Sequence, residues 1–277
     1  MKSPLLGVSY KTLKWQRRYS MRIVVLVKQV PDTWGARTIN ATTGRIDRES
    51  SEAVIDEISE KSIEIGLQLK EQHGGEVIAI TVGPEPANDV LRKALAMGAD
   101  EAVHVCDETL LGADAVATAR VLSAAINKTK FDLVVAGNES TDGRGGVIPA
   151  MLAELLSVAQ LTNLDTVVVS GSSISGERVT EFGSLSVSAQ LPAVISITER
   201  AAEARYPTFR GIMSAKKKPL AKLGIAGIGL PDGATPANLT VVKSVDVRPA
   251  REAGIKIIDD GSAADQIIEY LVAQRVI

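Results

Sequence analysis

From Met21 onward the chain alternates between two hydrophobic rhythms. "RIVVLV" (Arg22–Val27) is almost wholly apolar, as expected of a strand buried on both faces. A polar connection follows. Ile55, Ile58, Ser62, Ile65 and Leu69 then recur at spacings of 3, 4, 3 and 4, one face of a helix. Ser51 is placed to cap it, with Glu52 in its first turn. "EVIAITVG" reads as a strand, and "EPANDVLRKALAMG" as a helix opened by prolines and closed by Gly98. "EAVHV" is strand, Asp114–Lys128 helix and "FDLVVAG" strand, and a helix at Val147–Ser157 follows a glycine-rich loop. This alternation predicts an α/β fold: a mostly parallel sheet with helices on both faces.

Beyond it the rhythm changes. Thr166–Ser170, Ser175–Thr180, Leu185–Ala189 and Ala193–Thr198 are short β-like runs separated by Gly and Ser, which predicts antiparallel ribbons. A basic, apolar loop at residues 204–218 comes next. "LGIAGIGLPDGATP" is too rich in Gly and Pro for regular structure. A helix at Ala263–Arg275, with Ile267, Ile268, Leu271 and Val272 on one face, closes the chain. The expected organisation is a leader at 1–20, an α/β domain at 21–220 and a C-terminal arm with its helix at 221–277.

Composition narrows the function. With 3% aromatic and 45% hydrophobic residues the core must be aliphatic. A net charge of −2 argues against a dedicated nucleic-acid binder. Cys106 is the only cysteine, and the histidines are His73 and His104, so disulfide frameworks, thiolate clusters and His-rich metal sites are not expected. No apolar run approaches the ~18 residues of a membrane span, so no membrane insertion is expected and a cytoplasmic location is. The first twenty residues carry five cations and no acid. That fits a transit peptide, or an upstream start and unstructured tail, and the latter is adopted.

The most informative loop is "AGNESTDGRGG", Ala136–Gly146, which leaves the carboxyl end of a buried strand and enters a helix. In open parallel sheets ligands bind at this edge. Gly143, Gly145 and Gly146 leave their N–H groups free to approach an anion, the helix N-terminus adds partial positive charge, and Ser140 and Thr141 add hydroxyls. Asp142 is suited to orienting the loop or binding a ribose hydroxyl. The pattern is not that of a P-loop, and a plain glycine-rich turn is the alternative. "KQVPDTWG" (Lys28–Gly35) follows the first strand at the same edge. There, backbone of Val25–Val27 can meet a flat ring and Trp34 can stack on it or simply cover the edge. Cys106 and His104 read as strand residues, and His73 as a cation beside its helix's glycine cap. No acid–base or nucleophilic constellation is visible.

Four stretches together resemble the β subunits of electron transfer flavoproteins: "VLVKQVPD", "LRKALAMGADEAVHV", "AGNESTDG" and "LPAVISITERAAEARYPTFRGIMSAKKK". The likeness runs from Met21 to Ile277 and is closest to bacterial, actinobacterial members. It implies a Rossmann-like, adenine-nucleotide-binding fold and a heterodimer with an α subunit, on which the C-terminal arm packs. One FAD would be held mainly by α, and AMP would be bound structurally by this chain. The resemblance places the AMP site at Leu26, Asp56, Glu57, Ile58, Ser59, Val82 and the loop Gly137, Asn138, Glu139, Ser140, Thr141, Asp142, Gly143, Arg144, Gly145, Gly146, Val147 and Ile148. In flavin-bifurcating relatives a second FAD takes that site.

The resemblance also gives 204–218 a purpose. Between Glu203 and Asp232 there is no acid but six cations: Arg205, Arg210, Lys216, Lys217, Lys218 and Lys222. As a recognition loop, Phe209 would anchor in a partner's pocket beside Tyr206, Ile212 and Met213, while the cations steer association. The implied partners are acyl-CoA and related dehydrogenases as donors and a quinone-linked oxidoreductase as acceptor. The chain is thus expected to be an electron carrier subunit with no catalytic residue. It departs from many relatives at Gly146–Ile148, where polar residues are common. It also departs at Thr33–Trp34, where mammalian-type members place a tyrosine near the flavin.

Overall fold

Strand β1 (Met21–Leu26) is central because its side chains alternate between two apolar layers. Ile23 and Val25 join one buried cluster and Val24 and Leu26 the other. The computed structural model describes residues 20–35, 37–49, 51–231, 236–246, 249 and 253–277, so the expected leader falls almost wholly outside them. The chain continues through β2 (Gln29–Pro31), β3 (Ala53–Ile55), α1 (Glu57–His73), β4 (Gly75–Val82), α2 (Asn88–Met97), β5 (Glu101–Val105) and α3 (Ala115–Thr129). Then come β6 (Leu133–Gly137), α4 (Ile148–Leu156), β7 (Ala159–Leu164), β8 (Val168–Ser170), β9 (Ser173–Thr180) and β10 (Gly183–Gln190). The last elements are β11 (Ala193–Ile197), α5 (Phe209–Ala215), β12 (Leu220–Leu223) and α6 (Ala263–Ala273).

Seven strands form one parallel sheet in the order β12-β5-β4-β1-β6-β11-β7. α1 and α2 supply apolar residues to one layer, α3 and α4 to the other. The expected α/β architecture is therefore present. The strand order reverses at β1, with β4 on one side and β6 on the other. Chains leaving β1 and β6 diverge there, which opens a crevice at their carboxyl ends. β8, β9 and β10 form the expected antiparallel ribbon.

Several local expectations are corrected. α1 starts at Glu57, capped by Asp56 and not by Ser51, because Ala53–Ile55 pairs with Gln29–Pro31 as a small ribbon. Ala193–Ile197 is no ribbon strand: it lies fully buried between β6 and β7, parallel to both. The 204–218 segment contains a short helix, and β7 and β12 are strands that alternation did not reveal.

The chain divides into two units, one running to Lys243 and the other Ser244–Ile277. Residues 221–243 group with the larger unit, because β12 joins the sheet edge and Asp114 accepts hydrogen bonds from Leu239 N at 2.6 Å and Thr240 N at 2.9 Å. In the smaller unit no residue of α6 is buried. No described helix is long and apolar enough to cross a membrane.

Candidate functional site

The loop after β6 is fixed from beneath. Asp56, itself buried, has one carboxylate oxygen on Ile58 N at 3.0 Å, capping α1. Its other oxygen accepts from Thr141 N at 2.7 Å and Thr141 Oγ1 at 2.8 Å. A buried carboxylate is tolerable because these donors replace water. Asp142 anchors the next residue. Its side chain is 2% exposed and takes Lys28 Nζ at 2.7 Å and Arg48 Nη2 at 2.8 Å. Burial pushes this carboxyl up, but the charge and hydrogen bond of Lys28, with support from Ser140 and Arg48, outweigh it and hold it well below the ordinary range. Lys28 also donates to Ser140 Oγ at 3.0 Å, and Arg37 donates to Thr141 Oγ1 at 3.1 Å. Both loop hydroxyls thus serve the loop's own scaffold.

The outer half of the loop is open. Gly143, Arg144, Gly145, Gly146 and Val147 are exposed. α4 begins at Ile148, and its N-cap, Val147, provides no side-chain cap. The N–H groups of Gly145, Gly146 and Val147 find no acceptor among the described residues. Gly146 sits at φ +63°, and a Cβ added at Gly145 would meet nothing within 4 Å. Asn138 Oδ1 is buried without a partner. An uncapped helix N-terminus joined to free loop N–H groups suits a phosphate, and the orphaned amide oxygen suits a donor on the same ligand.

Of the other candidates, Leu26 and Val82 end neighbouring strands β1 and β4 at this edge. Ser59 Oγ accepts from Lys28 N at 3.2 Å, and Ile58 packs so close to Gly137 that a Cβ there would lie 2.8 Å from its Cγ2. Glu139 and Ile148 are half-buried, whereas Glu57 is exposed at the start of α1. Sequence reasoning missed the cations. Lys28, Arg37 and Arg48 line a cleft of ≈ 490 Å³ with Thr38, Ile39, Ile46, Asp142 and Gly143. Only Asp142 hinted at them, since an aspartate folded inward among glycines requires counter-charge. Trp34 is 95% exposed and covers no edge. His104 Nε2 lies 3.0 Å from Gly83 O and Cys106 Sγ 3.7 Å from Glu85, and burial raises the thiol's pKa.

A second feature stands apart from the crevice. Thr208 caps α5, its Oγ1 accepting from Gly211 N at 3.0 Å. α5 rests so tightly on α2 that a Cβ at Gly211 would sit 2.3 Å from Ala96 O. Lys218 Nζ ties the exit by donating to Leu95 O at 3.0 Å and Ala99 O at 2.5 Å, and its burial lowers its pKa. The opposite face is bare: Phe209 is 82% and Tyr206 92% exposed, with Ile212 and Met213 about half so. Arg210, Lys216 and Lys217 are exposed around them. Arg205 turns away, onto Glu64 and Glu71 of α1.

Residues 43–226 match the family described as "Electron transfer flavoprotein domain". The chain is 46% identical over 264 residues to "Electron transfer flavoprotein subunit beta" of Mycobacterium tuberculosis (strain ATCC 25618 / H37Rv), covering 92% of this chain and 99% of that protein. It is 35% identical to the protein of that name from Bacillus subtilis, over 92% and 98% of the two. It is also 37% identical to "Acryloyl-CoA reductase electron transfer subunit gamma" of Anaerotignum propionicum, over 72% and 76%. With this coverage, and with the crevice loop inside the matched span, the chain belongs to the electron transfer flavoprotein family, as a β subunit.

Proposed function

We propose that this subunit, paired with an α subunit in the cytoplasm, carries electrons from acyl-CoA and related dehydrogenases toward a quinone-linked acceptor, and binds AMP for architecture. The α6 face, Ile267, Ile268 and Val272, offers the apolar surface that an α partner covers. FAD, held mainly by α, supplies the redox chemistry when bound. The residues of this chain build and dock.

The observation that carries the reading is the bare apolar face of α5. An aliphatic protein that buries its core but mounts Tyr206, Phe209, Ile212 and Met213 outward, beside Arg210, Lys216 and Lys217, is built to seat that face in a partner. AMP would sit with its phosphate at Gly145–Val147 and a hydroxyl or amino group at Asn138. The test is Phe209→Ala in the heterodimer. Electron acceptance from a donor dehydrogenase should weaken with bound FAD and AMP unchanged, and unaltered kinetics would remove the docking assignment.

A second reading places another FAD in the nucleotide crevice. It is favoured by the three cations beside the loop against the one carboxylate of Asp142, and by the Anaerotignum relative whose name joins a reductase to an electron transfer subunit. Counting flavin in the purified heterodimer separates the two: near one per dimer supports AMP, near two supports the second FAD.

A further inference from the structure

Of the segment's five cations, Lys218 is held by backbone carbonyls, three pair with no described acid and Arg205 is engaged by two. The side chains of Arg210, Lys216 and Lys217 pair with no acid among the described residues. Arg205 is clasped. Its Nε and Nη2 reach Glu64 at 2.6 and 2.9 Å, and its Nη1 and Nη2 reach Glu71 at 2.6 and 3.3 Å. Its backbone N–H adds a bond to Glu64 at 3.3 Å. Glu64 is 6% exposed and its far oxygen also takes Gln68 Nε2 at 2.9 Å, so the fork closes on a fixed receptor. Burial raises the Glu64 pKa, and the Arg205 and Gln68 bonds more than reverse this, leaving it low.

We propose that Arg205 is a positioning residue for partner docking: it sets the direction of the α5 face by tying its lead-in to α1, and does not itself touch the partner. The inference rests on the docking reading above. α5 is held from behind by α2, through Gly211, Lys218 and the bond from Arg92 Nη1 to Ala215 O at 3.3 Å. Arg205 is the half-buried, multidentate restraint on a second element, α1, stronger than the pair of Lys61 with exposed Glu203 at 3.7 Å, and α1 also carries Asp56 at its other end. A guanidinium can engage two carboxylates in fixed directions, whereas an ammonium of the same charge cannot. An interface face delivered pre-oriented loses less freedom on binding.

The experiment compares Arg205→Lys, Glu64→Gln, Phe209→Ala and Lys217→Gln heterodimers, measuring donor kinetics across ionic strength and hydrogen exchange of residues 204–215. Arg205→Lys should raise KM for the donor dehydrogenase about tenfold at unchanged kcat, speed exchange in 204–215, and leave the salt dependence of KM as in the parent. Glu64→Gln should reproduce this, while Lys217→Gln should flatten the salt dependence. If Arg205→Lys flattens the salt slope as Lys217→Gln does, Arg205 meets the partner directly and the proposal fails. It fails too if KM and exchange stay at parent values while Phe209→Ala raises KM. If Phe209→Ala is silent, the docking reading falls and takes this inference with it.

Discussion

Thr141 hangs from Asp56 by two hydrogen bonds, its N–H donating at 2.7 Å and its hydroxyl at 2.8 Å, across 85 residues of sequence. One buried carboxylate therefore caps α1 and holds the crevice loop, so helix and loop form a single unit. Asp56→Ala removes the cap and leaves a buried N–H unpaired. These costs add to about 2–4 kcal/mol. Thermal or urea unfolding of the heterodimer should show this loss, with a smaller one for Asp56→Asn, which keeps an acceptor for the cap.

Asp142 gives a pH signature. Its carboxyl lies below the ordinary 3.8 in the folded chain, so its ionised form favours folding. That contribution is fully present above the unfolded pKa and is lost as pH falls through the folded value. Asp142→Asn should cost about 1–3 kcal/mol at pH 7. The gap between parent and variant should hold through neutral pH, shrink below about pH 4 and close in stronger acid. A gap independent of pH down to strong acid would show that the Lys28 and Arg48 pairs contribute nothing through charge.

Gly145 separates folding from binding. A side chain there meets no protein atom within 4 Å, so Gly145→Glu leaves the fold undisturbed while putting a carboxylate where the phosphate is expected. Released nucleotide, measured by mass analysis of the denatured heterodimer, should fall at least tenfold. The melting temperature should fall only to that of the nucleotide-stripped parent. Stoichiometric AMP in this variant would place the cradle elsewhere.

Gly211 and Phe209 probe the two sides of α5. Phe209→Ala removes the most exposed apolar side chain on the helix, and an anchor of this kind is worth about 2 kcal/mol, roughly a 30-fold rise in donor KM. Gly211→Ala touches no partner, yet its Cβ would lie 2.3 Å from the carbonyl of Ala96. The helix must lift from α2, with a stability loss of about 1–3 kcal/mol and a higher KM at unchanged flavin content.

Much of this was legible because burial on a parallel sheet writes itself into local sequence. "RIVVLV" and "FDLVVAG" are apolar on both faces since α1 and α2 cover one side and α3 and α4 the other. The crevice loop could be chosen from its glycines and its place after β6. The start of α1 was misread because Ala53–Ile55 extends to pair with Gln29–Pro31, a contact that local periodicity does not encode. Ala193–Ile197 was misread for the same reason: its partners, β6 and β7, lie elsewhere in the chain.

Local pattern determined the alternating layers, the glycine loop and the unusual union of apolar bulk and cations at 204–218. Tertiary structure alone decided which charges act where, because an ion pair depends on distance and desolvation and not on order along the chain. Arg205 and Lys217 look alike in sequence. Folding gives the first two carboxylates on α1 and leaves the second facing water. In the same way it turned Lys28, Arg37 and Arg48, three residues of a polar connection, into the wall of the crevice.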